Sequence, residues 1–223
     1  MSESHATAYR ELRVRVSEVI RQADASALER PAPATPGWRV HDVVAHLVGV
    51  PDDVVNGRLE GIASDPWTQA QVDKRAGLAT SDLLAEWEEN GPAFEAMLAG
   101  APAEIAGQAV FDAATHEHDL RHALGTPGGR ESDAITVAWD WIIDARTRGG
   151  EHALCFVIDG DEQVSGTGDV VARIEAPLFE LFRAVSGRRA AGEIEQYKWD
   201  RDPEPKLLLA SVIFSLRDEP LGE

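Results

Sequence analysis

The chain has 223 residues, 43% of them hydrophobic and 27% charged, which is ordinary for a soluble globular protein with one large or two modest domains. Its formal charge of −18 would repel phosphate backbones and argues against a nucleic-acid partner. The single cysteine, Cys155, excludes an intramolecular disulfide and a cysteine-rich zinc site, and its place in an apolar run reads as an inert core position.

The opening MSESHATAYRELRVRV lacks a continuous apolar stretch, and no run approaches the ~18 apolar residues needed to span a bilayer. A cytoplasmic protein without a membrane partner is expected, as monomer or homodimer. Tyr9, Leu12, Val16, Val19, Ile20 and Ala23 recur at steps of three and four, predicting a helix over roughly residues 6–24. The proline-rich RPAPATPG breaks it. A second helix follows Trp38, with Val40, Val43, Val44 and Leu47 as its stripe and a kink expected at Pro51. Residues 61–79 read as irregular. Trp67, Gln71 and Arg75 lie there, as packing for a long connection or as a lid. A third helix, about 81–98, carries Leu83, Leu84, Trp87, Phe94, Met97 and Leu98, with a bend expected at Gly91-Pro92. A fourth runs from about 104 to 124 and stops at GTPGG, where Gly125 suits a left-handed cap. Together they predict a four-helix bundle. A fifth helix, about 132–147, places Ile135, Ala138, Trp141, Ile142 and Ala145 on one face.

Beyond RGGEH the texture changes. ALCFVID and DVVARIEA read as strands joined by turn-rich GDEQVSGTG, LFELFRAVSG and AAGEIEQYKW as short helices, and LLLASVIFSL as strand or helix. The fold class is therefore mainly α with a smaller α+β part: a helical bundle over residues 1–148 and a small α+β domain over 149–223.

The chemistry concentrates in the fourth helix. At about 100° per residue, His116 falls about 40° from Asp112, bordering the stripe of small and apolar residues. His118 and His122 fall on the far side and are expected to face solvent or the second domain. Their HDLRH resembles the HExxH of zincins with a shortened acid, a weaker reading on a polar face. His46 borders the stripe of the second helix and is the natural third ligand, since a catalytic divalent metal commonly takes three protein donors. From the residues alone, a metal site and a set of hydrogen-bonded core histidines both stand open. Asp42 and Asp53 are placed to orient His46. His5, His41 and His152 read as surface positions, and Trp38 as a hydrophobic staple at its helix entry.

TPGWRVHDVVAHLVG, WTQAQVDKRAG with LLAEW, DAATHEHDLRHALGTPGGR and APLFELFRAVSGRRA resemble the mycothiol-dependent maleylpyruvate isomerase family, a branch of the DinB-like metal-binding bundles. The resemblance touches nearly the whole chain. It implies a DinB-like four-helix bundle with a separate C-terminal domain, and metal ligands at His46, Asp112 and His116. Asp112 stands where the family's isomerase has a glutamate, one methylene longer. The resemblance further implies a divalent metal, zinc first, and mycothiol, the small thiol of actinobacteria, as co-substrate. The partners are then a small thiol and a small electrophile, and the activity is isomerisation or S-transfer. Because maleylpyruvate-like substrates carry two carboxylates, Arg183, Arg188 and Arg189 are the catalytic cations expected from the second domain; pairing with surface acids such as Glu180 or Glu193 is the other reading. A non-catalytic binding protein on the same fold, and a metal-assisted hydrolase, are the alternative functions.

Overall fold

A computed structural model describes residues 2–209 and 214–223. Nine helices and four strands are present among them. The chain forms two compact units, Met1–Gly129 and Arg130–Glu223.

The first unit holds α1 (Ser2–Gln22), the short α2 (Ala25–Leu28), α3 (Val40–Val55), α4 (Asp65–Arg75), α5 (Thr80–Gly100) and α6 (Ala103–Leu124). Helices α1, α3, α5 and α6 pack as the expected four-helix bundle, with α4 laid against α3. The α1 stripe of Tyr9, Leu12, Val16 and Ile20 is buried, as are Val40, Val43, Val44 and Leu47 of α3 and Leu83, Trp87 and Phe94 of α5. Burying such side chains contributes about 1.5–3 kcal/mol each, which makes these stripes the main support of the bundle. Trp87 donates its indole N–H to the Tyr9 hydroxyl at 3.2 Å, satisfying both polar tips inside the core. Both α3 and α5 continue through their prolines, Pro51 and Pro92. Helix α6 ends at Gly125 in the left-handed conformation, as the GTPGG stop predicts.

Two features of this unit differ from the expectation. Residues 65–75 are helical, not irregular: α4 is polar along most of its length, so no stripe announces it, but Ser64 caps its start by accepting from the Trp67 N–H. Met97, expected in the core, is 47% exposed.

The second unit holds α7 (Asp133–Arg148), β1 (His152–Ile158), β2 (Asp161–Ser165), β3 (Thr167–Glu175), α8 (Leu178–Val185), α9 (Ala191–Ile194) and β4 (Lys198–Trp199), followed by a single turn of 3₁₀ helix at Pro205–Leu208. The sheet runs β2-β1-β3-β4, with β1 antiparallel to β2 and parallel to β3. The chain crosses the start of β1 at Gly166, where a Cβ would lie 2.4 Å from the His152 carbonyl oxygen, so only glycine permits the crossing. The polar DEQVS, read as part of a turn, is the edge strand β2. An edge strand with one exposed face needs no apolar run.

The units part between Gly129 and Arg130, whereas the change of texture placed the boundary at 148–149. Helix α7 goes with the sheet because it packs on α8 and β2. Trp139 meets the Phe156 ring edge-on at 5.0 Å and donates to Gln163 at 2.6 Å. The buried face of α7 thus uses Trp139, and Trp141 is only partly covered. The segment LLLASVIFSL lies partly outside the described residues, at 210–213. Among the described residues, no helix is long and apolar enough to cross a membrane.

Candidate metal centre

His46 sits mid-way along α3, and Asp112 and His116 one turn apart on α6. The packing of those two helices brings the three together. His46 Nε2 lies 3.3 Å from Asp112 Oδ2, and His116 Nε2 lies 3.8 Å from Asp112 Oδ1. One ligand atom from each residue lies within 4.8 Å of the other two. Among the described residues, this is the group of three histidine, cysteine or acidic side chains that meets the spacing a metal ion needs.

The orientation of each imidazole follows from what stands behind it. His46 Nδ1 is 2.8 Å from Gln71 Oε1, and the Gln71 amide nitrogen donates to Asp53 Oδ2 at 2.9 Å. That second bond fixes which end of the amide faces His46, so Nδ1 is the donor. Asp53 is held in turn by the Arg58 guanidinium at 2.7 Å. His116 Nδ1 faces Asp119 Oδ2 at 3.0 Å, and Asp119 is fully buried. A carboxylate only accepts, so His116 also donates from Nδ1. In each neutral ring Nε2 is then the bare nitrogen, and it faces Asp112, the tautomer that a metal-ligating histidine with a hydrogen-bonded Nδ1 adopts.

The donor set fits a divalent ion. Two donors about 2.1 Å from one tetrahedral ion stand roughly 3.4 Å apart, close to both carboxylate separations here. Two imidazoles and one carboxylate also match the composition of three-ligand catalytic zinc sites. Burial alone pushes the His46 imidazole down, but the Asp112 carboxylate beside it and the hydrogen bonds to Asp112 and Gln71 raise it overall. Proton and cation thus compete for the same atom.

Trp38, at the entry to α3, lies beside both rings, tilted to His46 with centroids 5.6 Å apart and stacked with His116 at 6.2 Å. It walls the site as well as fixing the helix entry. Gly49 lies one turn after His46, where a Cβ would come within 2.5 Å of Gln71 Cβ. Its missing side chain lets α4 approach closely enough for Gln71 to reach the imidazole. His46 and Asp112 also line a cavity of about 510 Å³, walled chiefly by apolar side chains of α3, α5, α6 and the turn before α4.

Other residues fall differently. His118 is buried, not solvent-facing, and His122 is half-buried; neither joins the cluster. His41 is likewise buried, its Nε2 2.9 Å from the Leu78 carbonyl oxygen. Asp42 is taken by Arg39, so of the two acids expected to orient His46 only Asp53 does so, and through Gln71. The Gln71 contact was missed because α4 itself was. In the second unit, Arg183 pairs with Glu223 at 2.9 Å, and Arg189 with Glu180 at 2.7 Å and Glu223 at 2.6 Å. Arg188 donates to the Ser186 carbonyl at 2.6 Å. Cys155 is buried, and that burial pushes its thiol up, away from reactivity.

Residues 9–126, which contain all three clustered donors, match the family model described as the mycothiol maleylpyruvate isomerase N-terminal domain. Two solved structures share the fold over 92% of this chain and 95% of theirs. One is the mycothiol-dependent maleylpyruvate isomerase, at 14% identity and a TM-score of 0.61. The other is a histidine-to-alanine mutant of the mycothiol-dependent maleylpyruvate isomerase, at 13% identity and a TM-score of 0.64. No curated protein matches the chain in sequence.

Proposed function

Since the chain belongs to the family defined by the mycothiol maleylpyruvate isomerase N-terminal domain, we propose that it is a metal-dependent enzyme using a small thiol, mycothiol by family, to isomerise a small electrophile or to transfer the thiol to it. The observation that carries this reading is the pair of Nε2 atoms converging on the Asp112 carboxylate, with both Nδ1 atoms held from behind.

His46, Asp112 and His116 would hold the ion, with zinc the first choice for two imidazoles and a carboxylate. Bound there, it would supply Lewis acidity that lowers the pKa of a thiol and favours the thiolate. The chain's residues do the positioning. Gln71 and Asp119 keep both imidazoles in the ligating tautomer, Trp38 covers them, and the apolar walls limit water around a nucleophile.

For an isomerase, the thiolate sulfur adds to one carbon of an activated cis double bond, and the electron pair moves to the neighbouring carbonyl oxygen as an enolate. The former double bond is now single and rotates. Collapse of the enolate re-forms the double bond as trans and expels the thiolate, so the thiol is regenerated. For a transferase, protonation of the enolate carbon leaves the thioether in place. We assign Arg183 and Arg189 to holding the second unit together through Glu180 and Glu223, and not to the substrate.

The test measures metal content and turnover together. Protein purified without chelator is expected to carry about one equivalent of divalent metal and to convert a cis-enone only when thiol is added. Recovery of free thiol marks the isomerase, and a thioether product marks the transferase. Turnover without thiol, or protein with neither metal nor turnover, would overturn the reading.

A further inference from the structure

We infer that the cavity lined by His46 and Asp112 binds an uncharged, largely apolar electrophile, not a dicarboxylate. The inference rests on the proposed function for the reaction at those two residues, but not for the binding.

The cavity, about 510 Å³, is large enough for a small-molecule substrate. Among its described lining residues, the acidic or basic groups are His46 and Asp112, both at the candidate metal centre, and the other hydroxyl or amide side chains are Thr68 and Gln108. No lysine or arginine is among its described lining residues. One carboxylate of a substrate would find the ion. A second would be desolvated against Val54, Phe94 and Leu98 with no cation to meet it, a costly arrangement. An uncharged hydrocarbon body has no such cost and gains from leaving water.

The rim points the same way. Leu59, Ile62, Met97 and Ile105 line the cavity, yet are 45%, 52%, 47% and 58% exposed. They make up half of the large hydrophobic side chains exposed among the described residues. The turn that carries Leu59 and Ile62 also holds Ala63 at φ 63°, a left-handed conformation that a non-glycine residue adopts only under constraint. Exposed apolar side chains lining a cavity whose ionisable groups are confined to His46 and Asp112 fit a ligand with an apolar body and one polar head.

The test uses the full chain and the neutral fluorescent dye N-phenylnaphthylamine. The dye is expected to saturate at about one per chain, to be displaced by octanol, and to be unaffected by maleate at the same concentration. Ala109→Trp, which fills the cavity from α6, should weaken the dye about tenfold, with metal content and thermal melt retained. Ile105→Asp at the exposed rim should weaken it likewise, and guards against a packing failure in the first variant. No saturable dye binding, displacement by maleate as effective as by octanol, or unchanged affinity in both variants would overturn the inference. Metal is measured in the same samples, including His116→Ala, whose residue does not line the cavity. Dye bound by a metal-free wild-type protein would sink the proposed function and leave this inference standing; metal bound without dye would do the reverse.

Discussion

Two regions of the molecule bury ionisable side chains, and they do so in opposite ways. In the second unit, buried Arg183 and Arg189 point their guanidinium groups at Glu223, and Arg189 also at Glu180. Cation meets anion directly, and the cluster is complete as it stands. In the bundle, His46 and His116 are held from behind by Gln71 and Asp119. In front, their Nε2 atoms and the Asp112 carboxylate face one another, an arrangement that a proton or a cation must stabilise. Both regions attract the eye in the sequence as clusters of charge. What separates them is where the partners lie: a group matched on the side it points toward is structural, and one held from behind and facing other ligand atoms is poised for a ligand.

The largest expected effect breaks the comparison at its centre. His46→Ala or His116→Ala should take bound metal from about one equivalent to near zero, and lower thiol-dependent turnover on the order of a thousandfold, since a Lewis acid contributes several kcal/mol at a reacting centre. Metal analysis and a turnover assay on the same preparation check both. Arg189→Ala should do the converse. Removing it strands Glu180 and leaves Glu223 with half its pairing, so about 3 kcal/mol of stability should be lost in urea unfolding while the metal stays. Metal loss in the arginine variant would show that the two regions are not different in kind.

The asymmetry between these regions also explains what was legible in the sequence. The bundle could be read because α1, α3, α5 and α6 each carry a 3.6-residue apolar stripe, and the ligand helices could be matched because His46, Asp112 and His116 border those stripes. Helix α4 has no such stripe; only Ser64 with Pro66 beyond it marks its start, so its inward-facing Gln71 was out of reach. A helical wheel with one buried face also left solvent open as the surroundings of His118, which is buried. Helix α6 packs against α1, α3 and α5 at once, which buries Glu117, His118 and Asp119 as well as the small residues. Of the arginine cluster, the pairing with Glu180, nine residues before Arg189, was legible locally, whereas Glu223 lies 34 residues from Arg189, beyond any local pattern.

A smaller effect sharpens the comparison by removing support from behind. Gln71→Leu takes the acceptor from His46 Nδ1 and the donor from Asp53, and leaves the three facing atoms in place. Metal affinity should fall about 10- to 100-fold, the range typical of losing a partner behind a ligating histidine. Competition against a chelating indicator measures it. Affinity unchanged within error would mean that the rear hydrogen bond does not hold the tautomer.

The smallest effect separates two neighbours in the chain. Asp53 holds Gln71 and so belongs to the site, whereas Asp52 is surrounded by Arg58 at 2.5 Å, Lys74 at 2.6 Å and the fully buried Arg75 at 2.8 Å. Burial alone would raise the Asp52 carboxyl, but the hydrogen bonds from Lys74, Arg58 and Arg75 bring it down to about 2. A carboxylate depressed in the folded state stabilises fully above its unfolded pKa and loses that contribution as pH falls toward the folded value. Asp52→Asn should therefore cost about 2 kcal/mol in urea unfolding at neutral pH, with the gap to the wild-type protein closing between about pH 4 and pH 2. Metal affinity should fall less than in Gln71→Leu, because Asp52 reaches His46 only at several removes, through Arg58, Asp53 and Gln71. A pH-independent gap would remove Asp52 from the saturated class. A large fall in affinity would place it, with Asp53, behind the metal centre.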